Sequence, residues 1–199
     1  MALPTGVRVL LIFGTSHVGK TTLAKKVAAA RSWDHVSTDA LARFPGRPWP
    51  TVRPAVAEYY TRLSAEAMYW FHTNHHRNMW PLVQSRIDRA VASGNGLVLE
   101  GSALRPEFLP GSFDERVAAI GLHASARWLR QRIEDNSDYA SREAAEQAMI
   151  DAFIARSVRD DAAIIETAQE HGFALTDAAD SDAIARLTQG LCAPFKASD

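Results

Sequence analysis

Short apolar runs alternate with longer stretches of helical period along this chain of 199 residues. The pattern predicts short strands at 7–13, 35–39, 97–101, 117–122 and 173–175, of which 35–39 is mostly polar, and apolar residues at helical spacing fill much of the sequence between them. Because parallel strands need long crossover connections, this alternation predicts an α/β fold with a parallel sheet and right-handed crossovers.

Three segments between the runs carry more specific signals. The segment 54–93 is expected to be helical, with a break between Thr73 and Pro81. The segment 141–171 is expected to be one long helix that takes Ser141 as its N-cap and stops at Gly172. The segment 44–50 contains three prolines and a glycine, so we expect an ordered surface loop there.

The charge balance and the cysteine content restrict the partners of the chain. With 22 basic and 23 acidic side chains the formal net charge is -1, so neither nucleic acid nor an anionic membrane is expected as a partner. A single cysteine, Cys192, excludes an intramolecular disulfide and a multi-cysteine metal site. The chain length fits a single domain, which we expect to be monomeric or homodimeric. We expect it to be cytoplasmic, because the first apolar run is too short to span a bilayer.

The stretch between the first apolar run and the first helix carries the strongest chemical signal. It reads Gly14-Thr15-Ser16-His17-Val18-Gly19-Lys20-Thr21 and matches the phosphate-loop pattern G-x-x-x-x-G-K-[ST] in full. A triphosphate needs backbone N–H groups that converge on its oxygens, and glycines allow this close approach. The residues expected to bind it are Gly14, Ser16, His17, Val18, Gly19, Lys20, Thr21 and Thr22.

Different roles are expected for the individual side chains of this loop. Lys20 should reach the β- and γ-phosphates, and the Thr21 hydroxyl should bind Mg²⁺. The His17 ring is expected to face solvent, with only its backbone N–H in use. The alternative is that the stretch is an incidental glycine-rich turn between a strand and a helix.

Acidic residues end the second and third predicted strands. Asp39 follows the second, and Glu100 closes the third. Because the carboxyl ends of parallel strands lie beside such a loop, Asp39 should face the transferred phosphate and bind the acceptor hydroxyl as general base or orienter. Glu100 is expected near Mg²⁺, directly or through water, although the two acids could exchange roles. Asp39 could also cap a helix that begins at Ala40.

These residues resemble the motifs of the P-loop small-molecule kinases, the group that contains adenylate, shikimate and gluconate kinases. The shorter stretches VSTDAL and VLEGSALRPE are similar to kinases of the 2-phosphoglycerate kinase-like type. The resemblance implies a three-layer fold whose five-stranded parallel sheet has the order 2-3-1-4-5. It implies one kinase domain over 1–199, with a core at about 5–40, 94–123 and 172–199, an acceptor-binding helical region at about 44–93 and a lid at about 124–160.

The resemblance also implies the reaction and its cations. Arg132 in RQRIE and Arg156 in FIARSVRDD are similar to the two lid arginines, with Arg127, Arg130 and Arg159 as substitutes. Both could instead form surface ion pairs, for example with Glu134 or Asp160. The implied reaction is an ATP- and Mg²⁺-dependent transfer of the γ-phosphate to a hydroxyl, or a phosphate, of a small metabolite or natural product.

Basic groups near the expected acceptor site favour an anionic acceptor. The residues that suggest it are Arg47, Arg53, His76 and Arg77, of which Arg47, His76 and Arg77 join Asp39 and Glu100 as expected substrate-binding residues. The cluster His72, His75 and His76 could alternatively hold a metal or pack in the core.

Two other functions remain open at this point. One is a regulatory ATPase switch that acts through protein partners. The other is a polynucleotide 5′-hydroxyl kinase, which the balanced charge disfavours.

Overall fold

The strands of the protein form one sheet. The computed structural model describes residues 2–41, 46–109 and 114–194, and its strands are β1 (Val9–Phe13), β2 (Asp34–Ser37), β3 (Leu97–Glu100), β4 (Val117–His123) and β5 (Leu175–Asp177). All neighbouring pairs are parallel, and the order is β2-β3-β1-β4-β5. This order confirms the α/β class and the topology expected from the sequence.

Helices cover both faces of the sheet. They are α1 (Lys20–Arg31), α2 (Pro54–Arg62), α3 (Ala65–Ser93), α4 (Ala126–Ser137), α5 (Ala144–Glu170) and α6 (Ser181–Cys192). The central strand β1 is fully buried, so its side chains supply both cores. Leu10 and Ile12 pack in the cluster formed with α1 and α6, whereas Leu11 and Phe13 pack in the cluster formed with α3 and α5.

A third apolar cluster lies outside the sheet and holds the segment after β2 against α5. Trp49 and residues of α2 such as Tyr60 pack there on Ile150 and Phe153 of α5. The division of the chain into core, acceptor-binding region and lid stays a prediction. Of the predicted regions, positions 44, 45, 110–113 and 195–199 lie outside the described residues.

The expected break in segment 54–93 is wrong in position. The chain breaks at Leu63 and Ser64, and α3 then continues without interruption through Pro81. Proline removes the hydrogen bond to the carbonyl four residues earlier, which here belongs to Arg77. Pro81 and Arg77 are both exposed, so water can hydrate that carbonyl and the helix need not end.

Two further boundaries differ from the sequence prediction. The long helix α5 takes Glu143 as its N-cap rather than Ser141, because Ser141 belongs to a separate 3-10 turn, Tyr139–Ser141. The last strand is Leu175–Asp177 rather than 173–175. No helix among the described residues is both long and apolar enough to traverse a bilayer.

Candidate active site

The glycine-rich loop lies between the end of β1 and the start of α1, at the carboxyl edge of the sheet. His17 and Gly19 have left-handed backbones, with φ of 69° and 89°. Gly14 has φ of 139°, and a Cβ built there would lie 2.2 Å from the Leu122 carbonyl oxygen. Only glycine fits at position 14. The left-handed turns make the loop concave, the shape in which consecutive N–H groups can bind an anion.

Lys20 places a buried ammonium group in this loop. Its Nζ donates a 2.5 Å hydrogen bond to the Thr15 carbonyl oxygen. Burial lowers the pKa of Lys20, and the nearby carboxylates of Glu100, Asp39 and Asp160 oppose that shift. The lysine is therefore a poorly solvated cation, and a phosphate group bound in the loop would be attracted to it at close range.

Thr21 and Glu100 meet at the junction of α1 and β3. The Thr21 hydroxyl donates to Glu100 Oε1 at 3.1 Å, and His35 Nε2 lies 3.6 Å from the same oxygen. The Glu100 side chain is 2% exposed. Hydroxyl and carboxylate oxygens are the donors that Mg²⁺ takes from proteins when phosphates complete its shell, so this pair fits the ion.

These residues open into a cleft of ≈ 390 Å³. Most of the residues predicted from the sequence line it: Ser16, His17, Gly19, Lys20, Thr21, Thr22, Asp39, Arg47, His76, Glu100, Arg132 and Arg156. Gly14 and Val18 are buried in the loop behind the lining, and Arg77 is exposed on α3 away from it. The structure thus brings together the predicted acids and cations, and leaves Arg77 out.

Asp39 reaches the cleft from a short turn. It lies in the 3-10 turn Thr38–Ala40 after β2, and its backbone N–H donates to Ser37 Oγ at 3.4 Å. Ser37 is therefore the cap of this turn, and the alternative that Asp39 caps a helix is wrong. The Asp39 side chain remains exposed and turned toward the cleft, with His75 near it.

The expectation of a solvent-facing His17 is wrong. Its ring packs at 5.6 Å from the rings of both Trp49 and Phe153. Burial lowers its pKa to about 3, and the positive charges of Arg47, Lys20, Arg132 and Arg156 act in the same direction. His17 is thus a neutral side chain that fixes the tip of the loop to the aromatic cluster. Position 17 is a variable position of the motif, so the motif gave no signal for this contact.

Arginines approach the cleft from α4 and α5. Arg156 is buried, donates to the Tyr60 hydroxyl at 2.8 Å, and lies 4.7 Å over the Phe153 ring. Arg132 is exposed and lies 5.0 Å over the Trp128 ring.

The two acids considered as partners of Arg132 and Arg156 pair with other arginines. Glu134 pairs with Arg130, and Asp160 pairs with Arg105. Arg159 pairs with Glu66 outside the cleft lining.

One buried polar cluster was missed by sequence reasoning. Arg105 is 2% exposed and bridges two acids: its Nη1 lies 2.5 Å from Asp160 Oδ1, and its Nε pairs with Glu107. His72 Nε2 lies 3.6 Å from Asp160 Oδ2, and the His72 and His76 rings are 4.0 Å apart. A lone arginine in a loop carries no sequence signal of burial. Among the described residues no group of three or more potential metal ligands occurs, so the histidines form no metal site there.

A second, smaller cavity of ≈ 160 Å³ adjoins the loop on the side of α6. Gly19, Thr22 and Arg132 line both cavities. Apolar side chains such as Trp128 and Ile184 supply other parts of its wall.

A scan against protein-family models gave no match, and a search of the curated proteins gave none either. Among solved structures the chain is similar to a gluconokinase from Sinorhizobium meliloti 1021, at 19% identity and a TM-score of 0.46, over 96% of this chain and 97% of that one. It is similar to a shikimate kinase from Bacteroides thetaiotaomicron at 18% identity and a TM-score of 0.46, over 92% and 95%.

A dephospho-CoA kinase from Campylobacter jejuni is also similar, at 10% identity and a TM-score of 0.43, over 93% and 97%. By name, these three neighbours are all kinases.

Proposed function

We propose that this protein is a phosphotransferase that uses ATP and Mg²⁺ to phosphorylate a hydroxyl group of a small metabolite or natural product. The observation that carries the proposal is the lining of one cleft. The phosphate-binding loop, a buried lysine, two acids at strand ends and two arginines all face the same space. Phosphoryl transfer asks a protein mainly for positioning and for cations around the transferred group, and this lining supplies both.

The nucleotide is proposed to span the two cavities. Backbone N–H groups of 14–21 and the Lys20 ammonium would bind the phosphates in the larger cavity. The smaller cavity has apolar walls and shares Gly19 and Thr22 with the larger one, so it suits the base. Thr21 and Glu100 would hold Mg²⁺, which neutralises phosphate charge when bound.

Asp39 is proposed to act on the acceptor. Asp39 is exposed, lines the cleft and lies close enough to Lys20 to raise the pKa of that lysine, which supports a position near the outer phosphate. A bond forms between the acceptor oxygen and the γ-phosphorus while the bond to the β–γ bridging oxygen breaks, and the hydroxyl proton passes to Asp39. Arg132 and Arg156 are proposed to stabilise the charge on the transferred group, together with Lys20, which lies near both acids.

The test measures ADP release from purified protein with ATP, Mg²⁺ and a panel of hydroxylated metabolites. Release should depend on one acceptor class, and Asp39→Asn should lower kcat at least about 100-fold while the Kd for ATP stays within about threefold. Retained turnover in Asp39→Asn would remove this residue from the mechanism. ATP hydrolysis that responds only to a protein partner would instead support a regulatory ATPase, and no ATP binding would reject the proposal.

A further inference from the structure

The wall of the cleft formed by α3 and the segment after β3 differs in charge from the rest of its lining. His76, Ser102, Met79 and Ala103 line this wall. The cations of the cleft gather beside the phosphate-binding loop: Lys20, Arg47, Arg132 and Arg156 all lie close enough to His17 to lower its pKa, and Arg156 also acts on His72 next to this wall. The cleft therefore has a cationic part beside the phosphate-binding loop and a second part made of neutral polar and apolar side chains.

The charged residues nearest His76 in this second part of the cleft include a paired cation and acid. Those that bear on the pKa of His76 include Asp160 and Arg105, which pair with each other. Arg105 also pairs with Glu107, so this arginine faces two acids. Burial, the largest cause, lowers the pKa of His76 well below its usual range, and the imidazole is neutral at neutral pH.

The polar atoms of this wall are suited to hydroxyl groups. His76 is 4% exposed, and among the described residues its Nδ1 has no hydrogen-bond partner. Its Nε2 lies 3.5 Å from the Ser102 hydroxyl, at the limit of a hydrogen bond. A neutral imidazole offers one donor and one acceptor, and a serine hydroxyl offers both. A buried polar atom without a partner costs free energy, so a ligand that bonds to it gains affinity.

We propose that His76 and Ser102 bind hydroxyl groups of the acceptor, and that the acceptor is an uncharged sugar-like or polyol compound. This inference rests on the proposed function and names the acceptor class of the same site. A carboxylate or phosphate placed against His76 would lose its hydration without meeting an unpaired cation, which is costly. A carbon skeleton with several hydroxyls would instead pack on Met79 and Ala103 and satisfy the polar atoms.

An uncharged acceptor differs from the anionic acceptor that the sequence favoured. Of the four residues that favoured it, Arg47 and His76 line the cleft, whereas Arg53 and Arg77 do not. Arg47 is one of the cations near His17, on the side where the phosphates are proposed to bind. His76 is neutral, so it supplies no charge for an acid.

The experiment compares matched neutral and anionic acceptors in the ADP-release assay. Sorbitol, glucose and myo-inositol form the neutral set, and gluconate, glucose 6-phosphate and an inositol monophosphate form the anionic set. We expect acceptor-dependent release only with the neutral set, with kcat/KM at least about 100-fold above that of the matched anion. An anion that is used as well as its neutral partner would overturn the inference and leave the proposed function standing.

Two null outcomes are also distinct. If no compound of either set stimulates ADP release while ATP still binds with a Kd below about 1 mM, the uncharged acceptor class is rejected. If ATP does not bind, the proposed function fails first, and the acceptor assignment falls with it.

Variants of the wall test the residues themselves with the best neutral acceptor. Ser102→Ala should raise the KM for the acceptor about fivefold to tenfold with kcat within about twofold, because one hydrogen bond is lost. His76→Ala should raise the KM for the acceptor further. His76→Gln should raise this KM less than His76→Ala does, since an amide also donates and accepts hydrogen bonds. The control Asn78→Ala, exposed on the same helix, should change neither constant. An unchanged KM in both Ser102→Ala and His76→Ala would overturn the assignment.

Discussion

Asp160 and Asp161 are adjacent on α5, yet their surroundings shift the pKa values of the two carboxyl groups in opposite directions. Burial alone would raise the pKa of Asp160, but His72 and Arg105 outweigh it and hold that pKa well below its usual range. Asp161 has a weaker partner, a 3.4 Å hydrogen bond from the Ala124 N–H to its Oδ2. Burial is the largest cause that raises the pKa of Asp161, to about 7.

The raised pKa of Asp161 makes stability depend on pH. An unfolded aspartate releases its proton near pH 3.9, so as the pH rises toward 7 the unfolded chain is deprotonated while the folded protein keeps the proton. The stability from this group is full below about pH 4 and is lost as the pH rises through about 7. Asp161→Asn cannot ionise, so its free energy of unfolding relative to the wild type should increase by roughly 1–2 kcal/mol between pH 4.5 and 8.

Urea unfolding of both proteins at the two pH values measures this change. The matched control is Asp88→Asn on α3, an exposed aspartate whose replacement should leave the difference from wild type constant within about 0.5 kcal/mol. A difference for Asp161→Asn that is equally constant would show that the folded protein carries the charge without penalty.

At the scale of elements, Arg105 connects α5 to the segment that follows β3. Its guanidinium pairs with Asp160 on α5 and with Glu107 in the 3-10 turn Pro106–Phe108. Arg130 on α4 also contacts two acids, Glu134 at 3.1 Å and Asp151 at 3.0 Å. The two arginines differ in exposure, since 2% of the Arg105 side chain and 49% of the Arg130 side chain is accessible.

This contrast predicts unequal losses of stability. Arg105→Met leaves the buried Asp160 without its strongest partner and should reduce the free energy of unfolding by about 3–5 kcal/mol. Arg130→Met should reduce it by at most about 1 kcal/mol, because water screens exposed pairs. Urea unfolding at neutral pH compares them directly. Equal losses in the two variants would mean that Arg105 has no special role in joining α5 to the sheet edge.

The sequence predicted the elements well where a local pattern determines them. The G-x-x-x-x-G-K-[ST] motif placed the turn between β1 and α1, and the hydrophobic pattern placed the five strands along the chain. Their order in the sheet came only from the resemblance to the P-loop small-molecule kinases. The prediction from the sequence failed where tertiary contacts or solvent exposure determine whether a helix continues. Pro81 does not end α3, because Pro81 and Arg77 are both exposed and water can hydrate the freed carbonyl, and solvent exposure cannot be read from a proline alone.

For the site, the sequence identified charges but not their surroundings. Asp39, Glu100, Arg132 and Arg156 were selected by residue type and by position relative to the strands, and all line the cleft. The buried Arg105 was not selected, because its burial depends on acids two and 55 positions away in the chain. Likewise, nothing in the motif distinguishes a packed His17 from an exposed one.

At the scale of the whole molecule, both cavities lie along the carboxyl edge of the parallel sheet. Open parallel sheets bind ligands at this edge, where loops from neighbouring strands converge. The larger cavity receives residues from the ends of β2 and β3 and from α3, and the smaller one receives residues from β4 and α6. Arg132 on α4 lines both, so one side chain connects the proposed phosphate and base sites.

This shared position predicts a combined effect on binding and turnover. Arg132→Met keeps a long apolar side chain beside Trp128 but removes the cation from both cavities. A cation that meets charge developing on the transferred phosphoryl group contributes most in the transition state, so kcat should fall about 10²–10³-fold. The Kd for ATP should rise only about tenfold, since the ground state carries less charge at that position.

Arg130→Met provides the control for that experiment, because Arg130 lies on the same helix and outside both cavity linings. Its kcat and Kd should stay within about twofold of the wild type. If Arg132→Met raises the Kd and leaves kcat intact, the arginine binds the nucleotide without stabilising the transition state. Charge stabilisation would then have to come from Lys20 and the buried Arg156, which also line the cleft.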